Sequence, residues 1–126
     1  MTGLRSVGCG MLVALLCSAT PGSAVLADEA VDAPGAELRG LDKMASLTSD
    51  LSVRNGQTRT FGELTVSVSA CRFPKDNPSA DAWAHLTISD QTGATLFSGW
   101  MSAASPALSA LDHPRYDVWL IRCTSS

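Results

Sequence analysis

Between Leu64 and Ala70 every second residue is apolar, and the residues between them are Thr65, Ser67 and Ser69. A period of two puts Leu64, Val66, Val68 and Ala70 on one face of a β-strand and the hydroxyls on the other. The first face demands burial; the second is solvated or shallowly covered. A chain carrying this segment is committed to a sheet with one buried side. Cys71 follows at once, with parity opposite to Leu64, Val66 and Val68. Either a bulge intervenes near Ala70, or any bridge made by Cys71 lies on the second face.

The neighbouring segments extend the same reading. Leu47, Ser49, Leu51 and Val53 alternate with Thr48, Asp50, Ser52 and Arg54, and Asn55-Gly56 follows. That dipeptide is the strongest short hairpin signal, so residues 57–61 are expected to return and pair with the preceding strand. Residues 72–81, with Pro74 and Pro78, form a loop. Ala82, Ala84, Leu86 and Ile88 alternate with Trp83, His85, Thr87 and Ser89; Asp90 to Gly93 is a four-residue turn, and residues 95–101 complete a second hairpin. Ser105-Pro106 opens a short helix, with Leu108 and Leu111 placed to share a buried face and Pro114 limiting its run. Residues 117–123 are apolar on both faces, which fits a central or covered strand. Leu38 to Lys43 reads as an edge strand presenting Arg39, Asp42 and Lys43. The sum is an all-β fold, a small antiparallel barrel or sandwich of about six strands with one short helix.

The N-terminal segment is of another kind. Arg5 is followed by an apolar run from Val7 to Ala19, then Pro21-Gly22, then Val25-Leu26-Ala27 before acidic Asp28-Glu29. This is the layout of a secretory signal peptide over residues 1–27, with cleavage expected after Ala27 and Ala24 the alternative. The run is too short for the roughly 20 apolar residues that span a bilayer, which disfavours an uncleaved anchor. Cys9 precedes the run and Cys17 follows bulky Leu16, so neither suits lipid attachment. Residues 28–37, with Pro34-Gly35, are expected to be a flexible acidic leader, and 38–126 a single domain, the natural count for a chain of 126 residues. Export leaves Cys71 and Cys123 in an oxidising compartment, where they are expected to pair. The bridge would close a loop of about 50 residues, worth roughly 4 kcal/mol in the chain-entropy description. The alternative, a two-thiol metal or redox site, lacks a C-x-x-C pair and suitably spaced histidines. A net charge of −3 argues against nucleic acid as a partner.

Several blocks carry a resemblance. They are Leu38 to Lys43, Phe61-Gly62-Glu63-Leu64, Ala70-Cys71-Arg72, Phe97 to Met101, and the long run from Ser105 to Leu120. Together they resemble a family of small exported proteins of alphaproteobacterial type, catalogued as a domain of unknown function, over residues 38–123. The resemblance implies a periplasmic setting and brings no activity, cofactor or catalytic residue with it.

Two groups of residues stand out as candidate sites. Asp112, His113, Arg115, Tyr116 and Asp117 put a histidine, two carboxylates, a guanidinium and a phenol within six positions. Such a group can bind a partner, hold a small ligand or metal, or do hydrolase-type acid–base work. No nucleophile elbow accompanies it, so no catalytic residue, metal ligand or cofactor is assigned. The bland reading is a helix terminus whose polar side chains bond loose backbone groups. Trp83, Trp100 and Trp119 are the second group. Trp119 reads as core, Trp100 leans to core, and Trp83 shares the polar face of its strand. The expected function is a non-enzymatic binding or assembly module contacting an envelope protein or polymer. His113, Arg115, Tyr116 and Asp117 would form the rim, with Trp83 or Trp100 as aromatic anchors.

Overall fold

The computed structural model describes residues 29–125, apart from the side chain of Asp112. The expected signal peptide, with Cys9 and Cys17, lies outside them. Nine strands and one helical turn follow in order: β1 (Ala30–Ala33), β2 (Gly35–Asp42), β3 (Leu47–Arg54), β4 (Thr58–Phe61), β5 (Leu64–Pro74), β6 (Trp83–Ser89), β7 (Thr95–Ser102), α1 (Pro106–Ser109), β8 (Leu111–Asp112) and β9 (Tyr116–Cys123). All pairings are antiparallel. In the first sheet β1 and β4 lie end to end along one side of β5, followed by β6 and β7. The second sheet runs β3-β2-β9-β8.

The two sheets face each other across one apolar layer. Val66, Val68, Leu86 and Ile88 point in from the first, and Leu38, Val53, Val118 and Leu120 from the second. Cys71 of β5 and Cys123 of β9 join the sheets in a disulfide, with Cα atoms 5.7 Å apart. The parity problem is solved by a bulge. Val68 pairs with Leu86 and Ala70 with His85, so Ser69 is an extra residue and Cys71 turns inward. Strand β9 does the same: Leu120 pairs with Leu38 and Arg122 with Glu37, leaving Ile121 extra before Cys123.

The Asp90–Gly93 turn forms as read, with Gly93 N donating to Asp90 O at 3.1 Å. Asp90 Oδ1 also accepts from Thr92 N, Thr92 Oγ1 and Ala94 N. The Thr92 hydroxyl, with these amides, holds the carboxyl below its ordinary range.

Other expectations are corrected. Asn55-Gly56 is a tight turn, closed by Gln57 N donating to Arg54 O at 2.9 Å, but the following strand does not pair back on β3. Gly56 adopts φ 82° while Asn55 stays at negative φ, so this is not the mirror-image turn that folds two strands together. Asn55 Nδ2 instead bonds Ala33 O and Gly56 N bonds Val68 O, which carries the chain into the other sheet. Residues 30–37 are not a loose leader: they form β1 and the start of β2, because Ala33 and Ala36 fill the inter-sheet layer. Strand β2 is central, not an edge, lying between β3 and β9. Its Gly40 faces inward under the Phe61 ring, and a Cβ there would stand 2.8 Å from ring carbons. Leu108 and Leu111 do not share a face. Leu108 is 85% exposed, whereas Leu111 has left the helix for β8 and is 5% exposed. Trp119 lies outside the inter-sheet layer, half-buried beside Pro106, Ala107 and Ala110.

Candidate functional site

The segment 111–117 is a hairpin, not the end of a helix. Leu111 pairs with Val118 and Asp112 with Asp117, and His113 N donates to Tyr116 O. Pro114 and Arg115 stand at the tip. The side chains of Arg115, Tyr116 and Asp117 reach two adjacent turns, and His113 bonds within the hairpin. Arg115 grips Asp42 through Nε at 3.2 Å and a terminal nitrogen at 3.1 Å, and reaches Glu63 at 3.7 Å. Asp42 is 8% exposed and also accepts from Met44 N and Ala45 N, closing the β2–β3 turn. The Arg115 bond, reinforced by these amides, holds the Asp42 carboxyl below its ordinary range and raises the guanidinium. His113 Nδ1 accepts from Arg115 N at 3.1 Å, and Asp117 pairs with Lys43 at 3.2 Å. Tyr116 is 1% exposed, edge-on to Phe61, with its hydroxyl accepting from Glu63 N. It therefore offers no surface to a partner. The edge-strand reading presents Asp42 to solvent, whereas the structure buries it as a cap; a carboxylate at a strand end followed by a short turn is the pattern for this cap.

Trp83 and Trp100 lie elsewhere, on the outer face of the first sheet. The structure brings them together: His85 pairs with Trp100 across β6 and β7, and Trp83 is two residues along. Trp100 is 46% exposed, contrary to the core position the sequence suggested. Its ring meets His85 edge-on at 5.3 Å, and the Arg72 guanidinium lies 5.6 Å from its centre. Arg72 is in turn paired with Asp32 at 3.0 Å, and His85 Nδ1 is 2.7 Å from Ser69 Oγ. Arg72 was missed in the sequence, yet stepping outward from an inward Cys71 finds it. The outer face of the second sheet is different. It carries charges in pairs, Arg39 on Asp50 at 2.8 Å and Arg122 on Glu37 at 2.6 Å.

A cleft of about 480 Å³ opens where β9 ends, walled by Phe73, Ala82, Ala103 and Ile121. The carboxylate on its rim, Asp81, is taken up by the Ser102 hydroxyl and by Ala82 N and Ala104 N. Among the described residues no group of three or more His, Cys, Asp or Glu side chains is placed to hold a metal ion. No helix among them is long and apolar enough to cross a membrane.

The sequence profile of DUF2155, uncharacterised proteins conserved in bacteria, matches residues 36–123. The chain belongs to this family. The DUF2155 segment includes both cysteines, the 111–117 hairpin and both exposed-face tryptophans; β1 precedes it. A relative from Rickettsia prowazekii (strain Madrid E), itself described as uncharacterised, is 26% identical over 87 residues. The match covers 66% of this chain and 56% of the relative, so the chain spans little more than half of that protein's length. No solved structure matches.

Proposed function

We propose that this DUF2155 protein is a non-enzymatic binding module of the cell envelope, exported to the periplasm through its N-terminal 27 residues. It meets its partner through the outer face of the first sheet. The observation that carries the reading is Trp100, a half-exposed indole held in place by His85 and Arg72. A fixed aromatic ring on a rigid sheet loses little side-chain freedom on binding, which is what a contact anchor requires. The inter-sheet disulfide fits an oxidising compartment. Among the described side chains of 111–117, Asp117 pairs with Lys43 of the adjacent turn and His113 accepts from Arg115 N within the hairpin, which favours a bracing role for them over the rim first expected.

A photoreactive diazirine residue tests the reading in exporting cells. Placed at Ser98, on the tryptophan face, it is expected to give a discrete envelope adduct. Placed at Asp50, on the opposite face, it is expected to give none. Absence of an adduct at Ser98, or equal adducts at both positions, overturns the proposal.

A further inference from the structure

The outer face of the first sheet is ordered beyond its tryptophans. Thr58, Ser67, Thr87 and Ser98 stand in one row, each directly paired with the next across β4, β5, β6 and β7. One step along the strands, Thr60, Thr65, Ser89 and Thr95 form a second row through the same strands. Within the first row Thr58 Oγ1 lies 2.8 Å from Ser67 Oγ, and Thr87 Oγ1 lies 3.4 Å from Ser98 Oγ. Strand spacing puts neighbours in a row about 4.8 Å apart and the two rows roughly 7 Å apart. The result is a grid of hydroxyls, every one able to donate and accept. Trp100, His85 and Trp83 close the grid at one end. The charges on this face, Arg72 and Asp32, neutralise each other.

We infer that this face binds an uncharged, extended glycan of β-linked pyranose units. The inference deepens the envelope-binding reading and rests on it. A sugar chain presents hydroxyls that both donate and accept, which matches the grid; it also presents axial C–H faces that stack on indole, which matches Trp100. A polyanion would need unpaired cations, and this face presents its one guanidinium already joined to a carboxylate. An apolar peptide would leave the hydroxyl rows desolvated without partners, at a cost for each. The opposite sheet carries ion pairs on its outer face, and its Trp119 is half-buried beside Pro106, Ala107 and Ala110.

The test is titration calorimetry on the disulfide-bonded protein purified from exporting cells, with cellohexaose and chitohexaose as probes and hyaluronan as the charged control. Saturable heat with at least one uncharged hexamer, and none with hyaluronan, is expected. Trp100→Ala is expected to weaken that binding about tenfold or more, as loss of a central aromatic contact does. Thr87→Val with Ser98→Val is expected to weaken it several-fold while leaving the melting temperature within about 2 °C, since both sites are on the surface. Arg39→Ala, on the other sheet, is expected to leave it unchanged. No heat with either hexamer, or full affinity in Trp100→Ala, overturns the inference. The Ser98 adduct separates the two proposals: an adduct without hexamer binding sinks the glycan and keeps the envelope contact, and absence of both sinks both.

Discussion

Ser69 and Ile121 stand in the same relation to the disulfide. Each is the unpaired extra residue of its strand, and each lies two positions before a bridged cysteine. The bulge at Ser69 turns Cys71 inward on β5, and that at Ile121 turns Cys123 inward on β9. Deleting Ser69 removes the extra residue and makes the alternation regular, with Val68 and Cys71 both inward and Ala70 outward. The deletion protein, purified without reductant, is therefore expected to keep the Cys71–Cys123 bridge. Mass spectrometry after alkylation reads the state of the two thiols. Cys71 and Cys123 alkylated in the deletion protein would show that the local bend of the bulge, and not parity alone, brings the cysteines together.

Removing the bridge tests its weight. The two cysteines are 52 residues apart in sequence. For Cys71→Ala with Cys123→Ala we expect a loss of about 2–4 kcal/mol, seen as a melting temperature about 10–20 °C lower. A change of a degree or two would mean that the apolar layer alone holds the sheets.

Asp42 and Arg115 give a pH signature. The Arg115 guanidinium keeps the folded Asp42 carboxyl below the value it has in the unfolded chain. The stabilisation is therefore complete above the unfolded value, near about 4, and is lost as pH falls through the lower folded one. The melting-temperature gap between the parent and Arg115→Ala is expected to stay level from pH 8 to about pH 5 and to shrink in more acid solution. A gap that persists unchanged at pH 2 would place the effect of Arg115 in packing on Tyr116 and not in the ion pair.

Leu108 and Leu111 are three residues apart and expected to behave oppositely. Leu108 points to solvent, so Leu108→Ser should leave melting within about 2 °C. Leu111 is buried in the apolar layer, so Leu111→Ala should cost about 2–5 kcal/mol. Equal effects in thermal unfolding would contradict the placement of α1 and β8.

Gly40 tests the centre of the second sheet. A methyl group there meets the Phe61 ring at 2.8 Å, so the ring must move or the strands part. Gly40→Ala is expected to destabilise by about 1–3 kcal/mol, as overpacking does, and Phe61→Leu in the same chain should recover part of it. Recovery would be absent if the loss came from backbone effects.

Much of this protein is legible in its residues. Alternation from Leu64 to Val68 and from Ala82 to Ile88 marks the strands and their inner faces, Asp90 to Gly93 marks a turn, and Cys71 with Cys123, the two cysteines beyond the expected signal peptide, mark a bridge. The parity of Cys71 allows either a bulge near Ala70 or a bridge on the second face, and the bulge is what forms. The same period of two is silent about neighbours. It shows which way a side chain points and not which strand lies beside it, so β4 was read against β3 although it pairs with β5, and β2 was read as an edge although β9 lies beyond it. Partners as distant as Arg115 and Asp42, or Arg72 and Asp32, are joined only when the sheets are assembled. Exposure is decided at that level too. Trp100 stands in the open because β7 turns it to the outer face, and Tyr116 is buried because Phe61 and the Glu63 amide close over it. The sequence by itself determined the β-class, the inward residues of the main strands and the covalent tie. The tertiary structure decided strand order, the bracing of the 111–117 hairpin and the exposure of Trp100 on the outer face of the first sheet, because those depend on contacts between segments far apart in the chain.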